Sequence, residues 1–550
     1  MSEPSERIDD TLTLVGQLGT TTEALRPAFR AARTVDDLVP ILRNDGNFLL
    51  IYRRAAEVFI VNSHYSLNNY FYTEQDGRFF HGDTIQSLVE QGACDLEWNF
   101  ESIADLLALE HVIGNATLLR SVRAVPMGTI QHWDGARLVS RSYPWQEFRE
   151  VAAGSGRDVA ERLIALLLEG LRAGAGSRVL LAASSGLDSR VNLAGLLHLG
   201  MKPELMVMGQ PGAKDAEIVT AMGRALGLTV NRIVPQPGDF VDGATQVARL
   251  TNGVKPLNHW HTFVLASKAG YGATERVLTG NNGEHVRAVG FDYGVLAHAL
   301  DATSRIGSPA LTEPLLRRYW TRKRWLPLEP AELAHCARDF VSYYGSEQQI
   351  DKIMSVMPRM SFVWQCDDFI LEQRRKGFQA AGLKLFRTYF PIYSPFLNKR
   401  WIDAGWSLPL GWRLDSRWHR YTVMRLYPRL TAFPEERERA GLRLHAKPLH
   451  WMPGINHLYG APRVVPYVDY DGLLRRDDVL ALLYDNTAAL DGLMSRELVH
   501  RIIDTQRKTG RRARVFSVLA AIALWRASLT GRSTPAGAAP TQFHANQCVA

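Results

Sequence analysis

The sequence predicts an α/β protein in which a β-rich front region precedes a region of alternating helices and strands. Three observations support this fold class. Short β-rich runs separated by turn residues extend from about Asn47 to Trp145. From about Asp158 the apolar pattern alternates between helical and strand periodicity, which predicts a parallel sheet covered by helices. Beyond about Leu296 the pattern is largely helical.

The front region contains four runs typical of strands, which are NFLLIY, EVFIVNS, NNYFYTEQDGRFFHG and GTIQHWDGARLVSRSY. In the third run, Asp76-Gly77 lies between aromatic residues, and this dipeptide is a strong signal for a tight hairpin turn. We therefore expect residues 1–150 to form a β-rich sandwich domain.

The second region follows the stretch AAGSG at 152–156, whose composition is that of a linker. Its first six elements are predicted as helix 158–171, strand 178–183, helix 188–199, strand 205–209, helix 214–226 and strand 229–234. This order predicts a doubly wound parallel sheet with added helices, in a domain over residues 157–530. The segment 531–550 is of low complexity and is expected to be disordered.

Composition and charge narrow the class of protein. The 550 residues are 46% hydrophobic and 22% charged, and no apolar run is long enough to cross a bilayer. The N-terminus MSEPSERIDD lacks the apolar core of a signal peptide, so we expect a cytoplasmic protein. Four cysteines without a CxxC pair suggest neither a disulfide framework nor a zinc site. The basic stretches 317–324 and 507–514 fit solvated helix faces, or contact with phosphates or an acidic partner.

The segment VLLAASSGLDSRVNLAG, residues 179–195, places two serines, a glycine and an acid between a predicted strand and a predicted helix. Serine hydroxyls and the free amides of a first helical turn make a concave anion site, so this turn is a candidate phosphate cradle. Asp188 would repel a phosphate unless a cation lay between them, which implies Mg²⁺. The alternative is an ordinary helix N-cap made by Ser184, Ser185 or Asp188.

The motif S-S-G-L-D-S resembles the S-G-G-x-D-S pyrophosphate loop of the ATP pyrophosphatase group, and its surroundings resemble the asparagine synthetase family. Three further stretches follow in the family's order: QPGAKDAEIVTAMGRALGL, RVLTGNNGEHVRA (276–288) and SPFLNKRWIDAGWSLPLGWRL (394–414). The resemblance covers about residues 158 to 435 and implies an adenine-nucleotide alpha hydrolase-like synthetase domain that uses ATP and Mg²⁺. By this resemblance, Asp188 and Glu284 would hold the metal. The residues expected to contact the nucleotide are Ser184, Ser185, Gly186, Leu187, Asp188, Ser189, Gly280 and Asn281.

The front region resembles the back half of the family's glutaminase domain, of the type that uses an N-terminal nucleophile. GDTIQSLVEQG matches the family's S-E-I-K-A-L-L segment, and GNATLLRSVRAVPMGTI resembles its G-x-x-T … P-G run. Members that use glutamine begin with a cysteine, whereas this chain begins Met1-Ser2 and lacks the family's glutamine-binding stretches. We therefore expect a degenerate glutaminase-like domain, as the resemblance to β-lactam synthetases and lasso-peptide cyclases implies.

The resemblance implies a ligase that adenylates a carboxylate, releases pyrophosphate, and joins the acyl group to an amine with release of AMP. The family's acid or tyrosine in the second loop falls at Asn281, which cannot accept a proton, so His285 is the candidate base; the alternative is a solvated helix start. The family's lysine falls in RERAGLRLHAKPLHW, at Arg439 by strict spacing or at Lys447 as the nearby lysine, which could equally be a surface cation.

Two other stretches hold candidate residues. In KPLNHWHTF, His259 and His261 would point the same way on a strand and could form a metal pair, but a substrate or packing role is favoured because no third ligand is evident. In CDDFILEQRRK (366–376), acids and bases at helical spacing predict intrahelical ion pairs or a basic wall for a substrate carboxylate.

The expected partner is a small molecule or peptide that carries a carboxylate and an amine, in specialised-metabolite, antibiotic or macrolactam biosynthesis, with a precursor peptide or a protease as further candidates. Nucleic acid and membrane are not expected partners. Two alternatives stay open: an ATP pyrophosphatase-type modifier of RNA, and a nucleotide-binding pseudoenzyme that serves as a scaffold.

Overall fold

The computed structural model describes residues 11–145, 152–176, 178–271, 275–289, 309–357, 362–436 and 464–531. It confirms an α/β fold with antiparallel sheets in the front region and a parallel sheet after it. The expected disorder of the tail concerns residues of which only Gly531 lies in the described part of the chain.

The front region contains two antiparallel sheets. The first has five strands in the order β1-β2-β3-β7-β8, and the second has three in the order β5-β4-β6. The strands are β1 (Thr11–Leu18), β2 (Gly46–Arg54), β3 (Glu57–Asn62), β4 (Phe71–Gln75), β5 (Arg78–Gly82), β6 (Arg123–Ala124), β7 (Thr129–Trp133) and β8 (Leu138–Ser142). The predicted Asp76-Gly77 hairpin joins β4 to β5, and both of its residues have the positive φ that this turn requires.

Four helices accompany these strands. They are α1 (Thr22–Ala31), a 3-10 helix (Val35–Arg43), α2 (Ile85–Glu90) and α3 (Phe100–Leu109). Phe29 on α1 and Leu38 on the 3-10 helix are buried against one face of the five-stranded sheet, where Phe48 and Tyr52 are fully buried. This face is therefore a core of its own within the front region.

The parallel sheet has the strand order β11-β10-β9-β12-β13. Its strands are β9 (Leu180–Ala182), β10 (Glu204–Met208), β11 (Val230–Ile233), β12 (Val277–Leu278) and β13 (Ile392–Tyr393). The helices between them include α4 (Gly156–Gly174), α5 (Leu187–His198), α6 (Lys214–Leu226), α7 (Pro237–Asp242), α8 (Ala244–Leu250), a 3-10 turn (Leu257–His259) and α9 (His261–Lys268). The six elements predicted between residues 158 and 234 all form, with ends displaced by at most a few residues.

Local signals explain where these helices begin and end. Ser155 and Asp158 form a capping box at the start of α4, so the expected linker is in part the N-cap of a helix. Gly227 ends α6 in the left-handed conformation, at φ 64°.

The sheet is covered on both faces, because alternate residues of its short strands enter different cores. Leu180 and Val277 pack into one core, with α8 and α9, whereas Leu181 and Leu278 pack into another, with α4, α5 and α6. A buried parallel sheet of this kind exposes mainly its strand ends, and the loops at those ends are therefore where a ligand would meet it.

The rest of the described chain is largely helical, as predicted. The helices are α10 (Pro309–Lys323), α11 (Pro330–Leu333), α12 (Arg338–Tyr343), α13 (Glu347–Ser355), α14 (Phe362–Arg374), a π-helix (Arg375–Gln379), α15 (Ala380–Arg387), α16 (Lys399–Trp406), α17 (Leu410–Arg413), α18 (Arg417–Leu426), α19 (Tyr470–Leu473), α20 (Asp477–Tyr484), α21 (Arg496–Thr509) and α22 (Ala513–Leu529). Short 3-10 helices lie at Gly283–Val286, Pro395–Leu397, Leu414–Ser416, Pro428–Ala432 and Thr487–Leu490.

Helix α22 is buried along almost its whole length and packs against α3 of the front region and α8 of the second region. Its apolar side chains share one core with Leu106 of α3 and Leu180 of β9. The two regions are thus in contact through a common core. Within the described residues, no helix combines the length and the apolar character that a membrane span needs.

Candidate functional site

The candidate site lies where the strand order of the parallel sheet reverses. Strands β9 and β12 are neighbours, yet the chain continues from β9 to β10 on the opposite side, so the loops that follow β9 and β12 leave the sheet side by side. Open α/β sheets bind ligands in such a crevice, outside the carboxyl ends of the strands. Asn192 of α5 donates a hydrogen bond to the carbonyl of Thr279 at 3.0 Å and joins the two sides.

The first loop, residues 184–189, leads from β9 into α5. Gly186 is the N-cap of α5 and has no side chain that could cap the amides of the first helical turn. The Oγ of Ser184 accepts from the amide of Gly186 at 3.2 Å, and the Oγ of Ser189 donates to the carbonyl of Ser184 at 3.0 Å. These contacts fix the turn, whereas Leu187 is buried in the core.

Ser185 is held away from the crevice by two neighbours. Its amide and its Oγ both donate to Oδ1 of Asp215, at 2.7 and 2.6 Å, and its Oγ accepts from the amide of Glu436 at 3.2 Å. Asp215 lies in the first turn of α6 within the stretch QPGAKDAEIV, and no role was predicted for it from the sequence. Ser185 thus anchors the loop, and its φ is not positive, so the side chain is accommodated without backbone strain.

Arg190 fastens the same loop to the segment that follows α18. Its guanidinium donates to the carbonyls of Ser185, Phe433 and Pro434 at 2.6 to 2.7 Å. The side chain is almost fully buried, at 1% exposure. Because a buried guanidinium needs such acceptors, Arg190 makes the position of the loop depend on residues far along the chain.

The second loop, residues 280–285, follows β12 and is held by the π-helix and by the 3-10 helix at Pro395–Leu397. Asn282 takes the left-handed conformation, at φ 73°, and donates to the carbonyl of Phe396 at 2.7 Å. Arg375 of the π-helix donates to Oδ1 of Asn282 at 2.5 Å, and Gln379 of the same π-helix donates to Glu284. The backbone carbonyl of Asn281 accepts from Ser394. Contacts from an insertion of this kind in a helix are common at functional sites.

The two loops touch where two glycines of the second loop pack on Asp188 of the first loop. A Cβ at Gly283 would lie 2.5 Å from Oδ1 of Asp188, and a Cβ at Gly280 would lie 3.0 Å from the Cβ of Asp188. Both glycines are therefore required by close approach.

Asp188 is paired with two nitrogen donors. Its Oδ1 lies 2.7 Å from Nη2 of Arg287 and 2.9 Å from Nε2 of His419, a fully buried residue of α18. Burial by itself would raise the pKa of Asp188, but the Arg287 guanidinium and the hydrogen bond from His419 outweigh it and hold the pKa below its usual range. Burial lowers the pKa of His419, and because both groups next to Nε2 are acceptors, that nitrogen carries a proton.

Nε2 of His419 also lies 3.1 Å from the carbonyl of Gly283, so one N–H is shared between the first loop and the second. Neither His419 nor Arg287 was assigned from the sequence. Arg287 lies near the end of the stretch RVLTGNNGEHVRA, which resembles the family's second loop. His419 lies far along the chain from Asp188, and no motif surrounds it.

The expected Mg²⁺ ligands do not form a metal site in this arrangement. Oδ1 of Asp188 is shared by Arg287 and His419, and the carboxylate of Glu284 accepts from Gln379. A hard cation needs oxygen ligands with free lone pairs, and it would compete for Oδ1 of Asp188 with the guanidinium and the imidazole already bound there. Among the described residues, no group of three or more His, Cys, Asp or Glu side chains could hold a metal ion. The donor set as built therefore does not fit Mg²⁺.

His285, the candidate base, is fully buried. Its Nε2 lies 2.9 Å from the carbonyl of Ile402, and its ring packs edge-on against Trp406 at 4.8 Å. This position is in the core behind the loop, away from the crevice mouth. The other two candidates, Arg439 and Lys447, lie outside the described residues.

His259 and His261 do not lie on a strand, because the chain there forms a 3-10 turn followed by α9. Their rings are 6.3 Å apart, and Nδ1 of His261 lies 3.1 Å from the hydroxyl of Tyr470. Burial lowers the pKa of His261 to about 3, which keeps the ring neutral. A substrate or packing role was favoured from the sequence, and these contacts agree with packing.

The stretch 366–376 makes one of its ion pairs within the helix and another across the fold. Lys376 pairs with Glu372 at 2.8 Å, as predicted for helical spacing. Asp367, however, lies 3.1 Å from Arg413 of α17, and both side chains are fully buried. Asp367 thus faces the core, and this ion pair joins α14 to α17 rather than two residues of one helix.

A scan of the chain against protein-family models finds no match, and a search of curated proteins finds none either. The resemblance to the asparagine synthetase family thus depends on the short motifs quoted above.

Proposed function

We propose that this protein is an ATP-dependent ligase that activates a carboxylate and joins it to an amine, without hydrolysing glutamine. The observation that carries the proposal is the contact between the two loops at the reversal of strand order, where Gly280 and Gly283 pack on Asp188. A crevice of this topology, with an uncapped helix N-terminus at its base, suits a polyphosphate.

The proposed chemistry has two steps. A carboxylate oxygen attacks the α-phosphorus of ATP, the bond to the β-phosphate bridging oxygen breaks, and pyrophosphate leaves. An amine then attacks the acyl carbon of the adenylate, the amine loses a proton, and AMP leaves. Both steps develop negative charge, which amide N–H groups and cationic side chains stabilise when they are already in position.

The first loop and the start of α5 would bind the phosphates of ATP through backbone amides and the Ser184 and Ser189 hydroxyls. Gly280 and Asn281 would border the same ligand from the second loop. Asn281 keeps its carbonyl bonded to Ser394, which leaves its side chain as the group that could reach substrate. The roles predicted for His285, Arg439 and Lys447 remain predictions.

We infer that residues 1–150 form the degenerate glutaminase-like domain and residues 157–530 the synthetase domain. The antiparallel sheets of the front region and the parallel sheet of the second region support this division. The amine would come from the substrate itself or from a second molecule, a small compound or a peptide. The reaction would take place in the cytoplasm, where ATP is available.

Binding of α,β-methylene-ATP by calorimetry tests the nucleotide site, because this analogue cannot release pyrophosphate. We expect binding by the wild-type protein, and a loss of roughly tenfold or more in Gly280→Val, whose side chain would collide with Asp188 and the amide of Ser189. Gly238→Val is the matched control, since a Cβ there meets only Asp242, at 3.9 Å. No binding by the wild-type protein, or equal binding by both variants, would contradict the proposal.

A nucleotide-binding scaffold without turnover is the second candidate. The pairing of Asp188 with Arg287 and the burial of His285 favour it, because they occupy the expected metal ligand and remove the expected base. AMP and pyrophosphate formed from ATP in the presence of pooled amino acids and short peptides would establish the ligase. Binding of the analogue with no AMP from any pool would favour the scaffold.

A further inference from the structure

We propose that Arg287 supplies the positive charge that the crevice presents to a polyphosphate, in the place where a divalent metal was expected. This inference rests on the proposed function, because it takes the ligand to be ATP or another polyphosphate. It differs from the expectation drawn from the sequence in that the nucleotide would bind without a metal held by Asp188 and Glu284.

The position of Arg287 is fixed by the protein while a quarter of its side chain stays exposed. Arg287 follows the 3-10 helix Gly283–Val286, and its carbonyl accepts from Arg413 at 2.8 Å. Arg413 is fully buried and pairs with Asp367, so the backbone at Arg287 is anchored in the core. The Arg287 side chain is 25% exposed and ends at Asp188, at the start of α5. The charge is thus presented at the base of the crevice.

The guanidinium has donors left for a ligand. One nitrogen, Nη2, is used on Asp188, and Nε is buried with no hydrogen-bond partner among the described residues. A guanidinium carries five N–H donors in a planar fork that matches two oxygens of a phosphate. Nε is too buried for a ligand to reach, so a phosphate oxygen would bind at the N–H groups of Nη1 and Nη2 that make no contact with the described residues.

A divalent metal would have to displace contacts that stabilise both loops. To reach Asp188 it must compete with Arg287 and with Nε2 of His419, which also binds the carbonyl of Gly283. Arg287 would then lose its counter-ion in a partly buried site, where an unpaired charge is expensive. Asp188 is better placed as the residue that orients Arg287 than as a metal ligand.

The N-terminus of α5 and Arg287 converge on the same space. Asp188 is the second residue of α5, whose first turn has no side-chain cap, and Arg287 reaches that same turn from the neighbouring loop. A polyphosphate there would receive backbone amides from one loop and a bidentate cation from the other.

Calorimetric titration with ATP, and with tripolyphosphate as a probe of the phosphates alone, in EDTA and in Mg²⁺ tests this inference. We expect wild-type affinities that agree within about threefold between the two conditions, and a loss of roughly tenfold or more in EDTA for Arg287→Gln. Arg276→Gln is the matched control and should bind as the wild type does. Arg276 is exposed and immediately precedes β12, at the opposite edge of the sheet from the crevice.

Arg287→Lys keeps the charge but loses the fork, so it should bind tripolyphosphate in EDTA with an affinity between those of the wild type and Arg287→Gln. If circular dichroism shows that Arg287→Gln does not fold, Arg287→Lys tests the contribution of Arg287 to polyphosphate binding in its place. ATP bound only with Mg²⁺, or Arg287 variants that bind as the wild type does, would overturn the inference and leave the proposed function standing. No binding of ATP under either condition would overturn both.

Discussion

Asp188 and Arg287 come from neighbouring loops of the crevice and pair through Oδ1 and Nη2 at 2.7 Å. Each side chain is about one quarter exposed, so the pair by itself adds little to stability. The pair instead fixes the positions of the two loops, because it holds Asp188 in the first turn of α5 against Arg287, which follows the second loop. The ring of His419 completes the contact from a third element, α18.

Gly283→Ala should separate the two loops. The new Cβ would lie 2.5 Å from Oδ1 and 2.7 Å from Cγ of Asp188, so the loops must move apart. We expect a loss of about 1–3 kcal/mol in the free energy of unfolding, measured by urea denaturation. Gly238→Ala, in the first turn of α7 with only Asp242 near, should be neutral or slightly stabilising. Equal effects of the two substitutions would show that close approach at Gly283 is unimportant.

His419→Ala should destabilise the protein more than an ordinary surface change. The substitution removes the N–H shared by Asp188 and the carbonyl of Gly283, and it leaves a hole beside α5. We expect a loss of about 2–4 kcal/mol in the free energy of unfolding, against less than about 0.5 kcal/mol for the exposed His198→Ala. A loss no greater than that of the control would mean that His419 does not hold the loops together.

The local elements around the crevice could be predicted from the sequence, whereas the pairing at Asp188 could not. Helix α6 was predicted with the ends that the structure shows, since apolar periodicity and its final glycine are local signals. The position of the first loop after β9 followed from the same pattern. His419 and Arg287 reach Asp188 only through tertiary packing, which leaves no mark in the spacing of residues.

His285 is a residue whose position in the second loop could be predicted from the sequence, whereas the direction of its side chain could not. Its place in the second loop made it the nearest candidate base, yet the ring turns into the core against Trp401 and Trp406. The choice between crevice and core depends on where α16 packs. A motif fixes the backbone position of a residue better than the direction of its side chain.

Asp367→Asn should be among the most damaging single changes in the second region. Asp367 and Arg413 form a fully buried ion pair, and loss of the carboxylate charge removes a counter-ion from a buried guanidinium. We expect a loss of about 3–5 kcal/mol, measured by urea denaturation. Glu97→Gln breaks the exposed pair with Arg120 and should cost no more than about 1 kcal/mol. A small effect at Asp367 would show that other groups compensate Arg413.

His111 should make the stability of the protein fall in mild acid. Burial, followed by the nearby charge of Arg374, lowers the pKa of this histidine to about 4 from its usual 6.5. The unfolded chain therefore takes up a proton at a higher pH than the folded protein does. The stabilising effect is fully present above the unfolded value of 6.5 and is lost progressively as the pH falls toward the folded value of about 4.

The His111→Phe variant isolates this contribution, because it keeps a ring beside Phe369, 6.1 Å from His111, and removes the titrating nitrogens. Between about pH 7.5 and about pH 5, the wild-type protein should lose about 2 kcal/mol more of its free energy of unfolding than the variant does. Urea denaturation at both pH values measures the difference. The exposed His198→Phe is the control and should track the wild type. Parallel losses in His111→Phe and the wild type would show that His111 does not stay neutral in the folded protein as the pH falls.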